Sequence, residues 1–130
     1  MKYLLDTNAY SALMRGRPAV VELVRNAEAV LMSTVVVGEL CYGFFHGSRT
    51  DANVQGLDRF LASAYVEVLD VTRVTADRFG RVAAALRRKG TPIPTNDIWI
   101  AAHALESGAN LLSFDHHFAH VDGLVWTHPE

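Results

Sequence analysis

The chain has 130 residues, half of them hydrophobic and a fifth charged, the profile of one compact domain built on one core. A single cysteine excludes an internal disulfide and a Cys-rich zinc site, no apolar run reaches the ~18 residues that span a bilayer, and an acid at position 6 comes too early for a signal peptide, so no membrane association and a cytoplasmic location are expected. The net charge of −2 argues against a nucleic-acid partner only if the acids are spread evenly, and they are not.

In chain order, Lys2–Asp6 reads as a buried strand and Thr7–Arg15 as a short helix stopped by Gly16 and Pro18. Pro18–Asn26 is a second helix, Ala29–Ser33 a second strand, and Thr34–Phe45 a helix with Val36, Leu40 and Phe44 at helical spacing. Gly47-Ser48 is a turn, Ala52–Ser63 a helix and Val66–Leu69 a strand. Val74–Lys89 is a long helix closed by Gly90 and Pro92, and Asn96–Glu106 a helix closed by Gly108. Ala109–Ser113 and Leu124–Trp126 complete the sheet. Strands alternating with helices predict an α/β fold. The expectation is a single domain over residues 1–130, a three-layer α/β/α sandwich around a mainly parallel sheet of about five strands.

Four carboxylates stand out on that frame. Asp6 ends the run Tyr3-Leu4-Leu5, Asp115 follows Leu111-Leu112-Ser113-Phe114, and Asp97 opens a helix. Strand ends and the helix starts that follow them share one edge of a parallel sheet, where ligands bind. Glu39 lies on a helix instead, with Gly43 one turn on leaving room for a metal, a substrate or a neighbouring backbone. Acids gathered at one edge repel one another, so a divalent cation and a phosphate-bearing substrate explain them best. Without these four, ten acids face twelve Lys and Arg, and the remainder of the chain is cationic.

Each motif also has a plainer explanation. Asp6 or Thr7 suits a helix N-cap, Asp97 in a first turn suits the helix dipole, Glu39 suits the rim of an amphipathic helix, and Asp115 suits a turn. His116 and His120 stand at i, i+4, a zinc spacing on a helix, but a mobile solvated turn is the simpler expectation for that tract. Arg78, Arg81 and Arg88 share a stripe of the long helix, although the dipole accounts for cations at its C-terminal end. Arg15 and Arg17, after the first helix, are the first candidates for phosphate contacts, with His116 and His117 as further substrate contacts.

The conjunction is more specific than its pieces. Leu5-Asp6-Thr7-Asn8, Ser33 with Glu39-Leu40 and Gly43, Asn96-Asp97 leading Ile98, and Ser113-x-Asp115-x-x-Phe118 follow in this order over nearly the whole chain. In these motifs the chain resembles the PIN-domain nucleases, and among them the VapC-type toxins of bacterial toxin–antitoxin modules. The resemblance implies a Mg²⁺- or Mn²⁺-dependent endoribonuclease that hydrolyses RNA phosphodiesters with metal-activated water. Asp6, Glu39, Asp97 and Asp115 match its catalytic and metal-binding acids, and Thr7, Asn8 and Ser113 its supporting polar residues. The acid at position 115 is variable among such proteins, and His117 stands where some carry a further Asp. The resemblance also implies an RNA substrate, a cognate antitoxin and a homodimer, with Tyr10, Leu13 and Met14 available to an interface or to the core. A non-cleaving module of the same fold and a DNA nuclease with the same site are the rival readings. An aspartyl phosphatase fits poorly, because position 8 is Asn where a second Asp is wanted.

Overall fold

The computed structural model describes residues Met1–Glu130. Five strands form one sheet: β1 (Lys2–Leu5), β2 (Ala29–Ser33), β3 (Val66–Leu69), β4 (Asn110–Leu112) and β5 (Trp126–Thr127), in the order β3-β2-β1-β4-β5. Every pairing is parallel, so all strand C-termini point to one edge. The helices are α1 (Thr7–Met14), α2 (Pro18–Arg25), α3 (Thr34–His46), α4 (Thr50–Leu61), α5 (Arg73–Lys89) and α6 (Thr95–Ser107). From β1 through β3 the chain steps one way across the sheet, and from β3 it returns to β4. Right-handed crossovers therefore put α1–α4 on one face and α5–α6 on the other, which makes three layers.

β1 is central and its Leu4 and Leu5 are fully buried, as are Leu111 and Leu112 beside them on β4. A strand covered on both faces reads as an unbroken apolar run, which is why these segments are Leu-rich rather than alternating. Register places Leu4 opposite Leu31 and Leu5 opposite Leu112. Asp6, Ser33 and Ser113, each at the end of its strand run, therefore stand level on the C-terminal edge. α5 is started by a reciprocal Thr72–Thr75 capping box and stopped by Gly90 at φ 70°, a left-handed position that suits glycine. α6 runs antiparallel to α5: Thr75 Oγ1 donates to Glu106 Oε1 (2.6 Å) at one end, and Leu86 and Arg87 line a small cavity with Ile98 at the other.

Several expected boundaries move. Asp6 is not the last strand residue but the N-cap of α1, because its side chain accepts from Ala9 N. α4 starts at Thr50, whose hydroxyl donates to Phe44 O, rather than at Ala52. The closing strand is Trp126–Thr127 instead of Leu124–Trp126, fixed by pairing of Leu111 with Trp126 and Leu112 with Thr127. The tract expected as a solvated turn is a 3₁₀ helix, His116–His120, pinned by Phe118, which is 1% exposed. Tyr10 belongs to the core, edge-on to Phe60 at 5.3 Å, whereas Met14 is exposed.

Candidate active site

Asp6 forms the floor of the site. It is 6% exposed, and its Oδ1 accepts from Ala9 N at 2.9 Å. Burial raises its pKa; hydrogen bonds from the Ser113 hydroxyl and Ala9 N oppose the rise, and the charges of Asp115 and Glu39 add to it. Glu39 reaches the same edge from α3 with both oxygens held. Thr7 Oγ1 donates to Oε1 (2.6 Å) and Asn96 Nδ2 to Oε2 (3.2 Å). α6 contributes Asp97 from its first turn, half-buried, where burial again raises the pKa, His117 lowers it, and Glu39 and Asp115 push it up. Asp115 is the outermost acid, its side chain 49% exposed, and its backbone N–H is held by Ser113 Oγ at 3.0 Å.

All four predicted acids thus converge on one edge, each from a different segment. His117 joins them. Its Nε2 lies 2.8 Å from Asp97 Oδ2 and its Nδ1 3.1 Å from Asp115 Oδ1. The Nε2 contact has the distance of an ion pair with an angle poor for a hydrogen bond, and it ties the ring to Asp97. One ligand atom from each of Asp97, Asp115 and His117 lies within 4.8 Å of the others. Oxygen donors converging with one imidazole nitrogen suit a divalent cation, and the residues present fit one.

The other expectations divide. Thr7 and Ser113 do contact the acids. Asn8 is exposed and makes no side-chain hydrogen bond; Asn96 orients Glu39 instead, from the first turn of α6. His116 turns away to stack on His128 (4.9 Å) and meets Trp126 edge-on. A 3₁₀ helix turns three residues per turn, so His116 and His120 do not share a face as a zinc pair would. Arg17 lies over the Phe114 ring at 4.4 Å and is paired with Glu130, while Arg15 is exposed beside a pocket with Tyr10, Met14 and Phe44. No neighbouring backbone approaches Gly43, where an added Cβ would meet open space.

One polar residue gave no signal in the sequence. His103 is 1% exposed on α6; its ring contacts Ser33 Oγ at 2.8 Å and Asp70 O at 3.1 Å. Ser33 caps α3 by accepting from Val35 N. His103 therefore joins the helix that carries Asp97 to the helix that carries Glu39. In sequence it is one histidine on an apolar helix, with nothing to separate it from a core residue.

An all-parallel α/β domain with four acids gathered at its strand ends defines a class, and the sequence model of the PIN domain matches residues 3–124. The chain belongs to the PIN-domain family. It is 31% identical over 132 aligned positions to ribonuclease VapC1 of Haemophilus influenzae, covering 97% of this chain and 96% of that protein. It is 29% identical over 127 positions to the tRNA(fMet)-specific endonuclease VapC of Shigella flexneri, with 95% of each covered. Among solved structures, VapBC-1 from nontypeable Haemophilus influenzae superposes with a TM-score of 0.85 at 30% identity, covering 99% of this chain and 98% of that one. These relatives place the chain among the VapC ribonucleases.

Proposed function

We propose that the chain is a VapC-type endoribonuclease whose acidic edge holds Mg²⁺, with Mn²⁺ as substitute, and that it is the toxin of a toxin–antitoxin pair. The observation that carries the proposal is the convergence of Asp6, Glu39, Asp97 and Asp115 from four segments, with His117 Nε2 against Asp97 among them. Asp97, Asp115 and His117 present ligand atoms within 4.8 Å of one another, and the four acids would hold the ion partly directly and partly through its waters. When bound, a divalent cation supplies an acidified water and neutralises phosphate charge.

The chain's own residues do the rest. Thr7 and Asn96 fix both oxygens of Glu39, so the carboxylate need not reorganise when it is engaged. Ser113 and Ala9 N hold Asp6 in place against the neighbouring charges, and the buried strand ends beneath exclude solvent from the floor. The attacking group in this reading is a water activated beside the acids and not the ribose 2′-hydroxyl, so the products would carry a 5′-phosphate and a 3′-hydroxyl.

A cognate antitoxin is the protein partner that this reading supplies. Exposed apolar side chains suited to a partner chain lie on the α1–α4 layer: Met14 (48%), Tyr42 (73%) and Phe45 (68%). A second copy of the chain is a further partner that the VapC likeness implies. The deciding experiment incubates end-labelled RNA and single-stranded DNA with the purified protein in Mg²⁺, Mn²⁺, Ca²⁺ or EDTA. RNA cleavage in Mg²⁺ and Mn²⁺, little in Ca²⁺ and none in EDTA is expected. Binding without cleavage would establish the non-cleaving module, and preference for DNA the DNA nuclease.

A further inference from the structure

α5 carries six of the chain's twelve Lys and Arg (Arg73, Arg78, Arg81, Arg87, Arg88 and Lys89) and only one of its fourteen acids, Asp77. The helix is thus +5 within a chain of −2. All six cations are exposed. The helix dipole accounts for the last three, but it opposes Arg73 at the first helical position and does nothing for Arg78 and Arg81. Only Arg81, with Asp77 at 2.8 Å, and Lys89, with Asp122 at 3.0 Å, have carboxylate partners.

The charges are arranged. Arg73, Arg81 and Arg88 recur on one solvent-facing side of the helix and flank a shallow, open groove over Ala76, Asp77, Gly80 and Ala84. An added Cβ at Gly80 would meet nothing. The C-terminal end of this helix comes near the site. α5 ends beside the start of α6, and Lys89 Nζ donates to the carbonyl of His120 in the 3₁₀ turn that carries His117. From there α5 runs away from the site for roughly 25 Å, given its rise per residue.

We infer that this face of α5 is a docking surface for the phosphate backbone of a folded RNA, holding the body of the substrate while the acidic edge addresses one bond. The inference rests on the proposed ribonuclease function. Guanidinium forks match phosphate oxygens, and between them stand only small side chains and Asp77, itself engaged by Arg81, so the contact is with backbone and shape. The stripe is longer than the nucleotides flanking a scissile bond require. A second copy of the chain fits the groove poorly, since a two-fold pairing would set the same arginines against one another.

The test is Arg73→Gln/Arg81→Gln/Arg88→Gln, which removes charge and keeps good helix formers. Affinity for a folded stem-loop RNA is measured across a salt series in metal-free buffer, and cleavage of a short single-stranded oligonucleotide is measured in Mg²⁺. The variant should bind the stem-loop at least about tenfold more weakly, with a salt slope reduced by roughly two to three, and should cleave the short oligonucleotide as the wild type does. Unchanged stem-loop affinity and salt slope overturn the inference, as does equal loss on both RNAs. A shift from dimer to monomer on sizing with RNA affinity intact would make the face a self-association surface and also overturn it. If the wild type cleaves nothing yet the variant loses stem-loop affinity and salt slope, the docking surface stands and the nuclease reading falls.

Discussion

Asp6 and Asp115 follow neighbouring parallel strands, yet the protein treats them oppositely. Asp6 comes directly off β1 into α1, is 6% exposed, serves as an N-cap and has a raised pKa. Asp115 comes off β4 after two more residues, Ser113 and Phe114, and half of its side chain meets solvent, next to His117. By burial the acids divide into a floor, Asp6 and Asp97, whose pKa values burial raises, and a rim, Asp115, which meets solvent beside His117. Burial sets the difference: a desolvated carboxylate is costly to ionise until a cation arrives, whereas a solvated one is not. Floor residues should dominate both chemistry and electrostatic strain, and rim residues should tune them.

The hardest test of that division is cleavage by Asp6→Asn and Asp97→Asn. Each should fall by about two orders of magnitude or more in Mg²⁺ with unchanged circular dichroism. Asn remains a good N-cap, so α1 survives the first change. Near-wild-type cleavage by either variant would remove that residue from the floor.

Next comes metal binding itself. Millimolar Mg²⁺ or Mn²⁺ should raise the melting temperature at pH 7.5, by mass action on the folded state. A ligand at a hundred times its Kd adds about 2.7 kcal/mol. No shift with any divalent ion would leave the acids as separate caps and turns.

The rim should be gentler. Asp115→Asn keeps an oxygen where the carboxylate stood, and should cost about tenfold in cleavage, the scale of a supporting contact. A loss equal to that of Asp97→Asn would erase the distinction between floor and rim.

The smallest effect is in the metal-free fold. Asp6 and Asp97 have folded pKa values above their unfolded ones, so the folded state binds more protons between the two. Stability associated with these groups is full below the unfolded values, and is lost as pH rises through them to the folded values. Asp97→Asn should flatten that decline and melt no lower than wild type at neutral pH without metal. If Asp97 acts only on the helix dipole, the variant should instead lose roughly 0.3–1 kcal/mol, and a melting curve separates the two.

The strands, helices and four acids could be read from the sequence because each has a local signature: an apolar run, a Gly or Pro stop, an acid directly after a strand. What could not be read depended on partners far away in the chain. Asn96 and Asn8 look alike beside their acids, and only the packing of α3 against the start of α6 decides that Asn96 meets Glu39. His116 and His117 were read together as substrate contacts, with His117 where some PIN nucleases carry a further Asp, and only the anchoring of the 3₁₀ turn by Phe118 aims the His117 ring at Asp97. His116, one residue earlier, faces the aromatic group at Trp126 and His128 instead. Arg15 and Arg17 were read from a loop after the first helix that could approach the carboxylate edge, and the structure sets Arg17 over Phe114, one residue before Asp115, and pairs it with Glu130.

The place of β4 beside β1 also bears on how the protein is made. Asp6 leaves the ribosome early, and its neighbours Asp97 and Asp115 leave near the end, because the strand that adjoins β1 on that side is the fourth in the chain. A nascent chain with β1–β3 paired would have a sheet but only Asp6 and Glu39 of the four acids. At translation rates of roughly 5–20 residues per second, that interval lasts several seconds. With this strand order the acidic edge is completed by the later half of the fold, because neither Asp97 nor Asp115 is beside Asp6 until β4 pairs with β1.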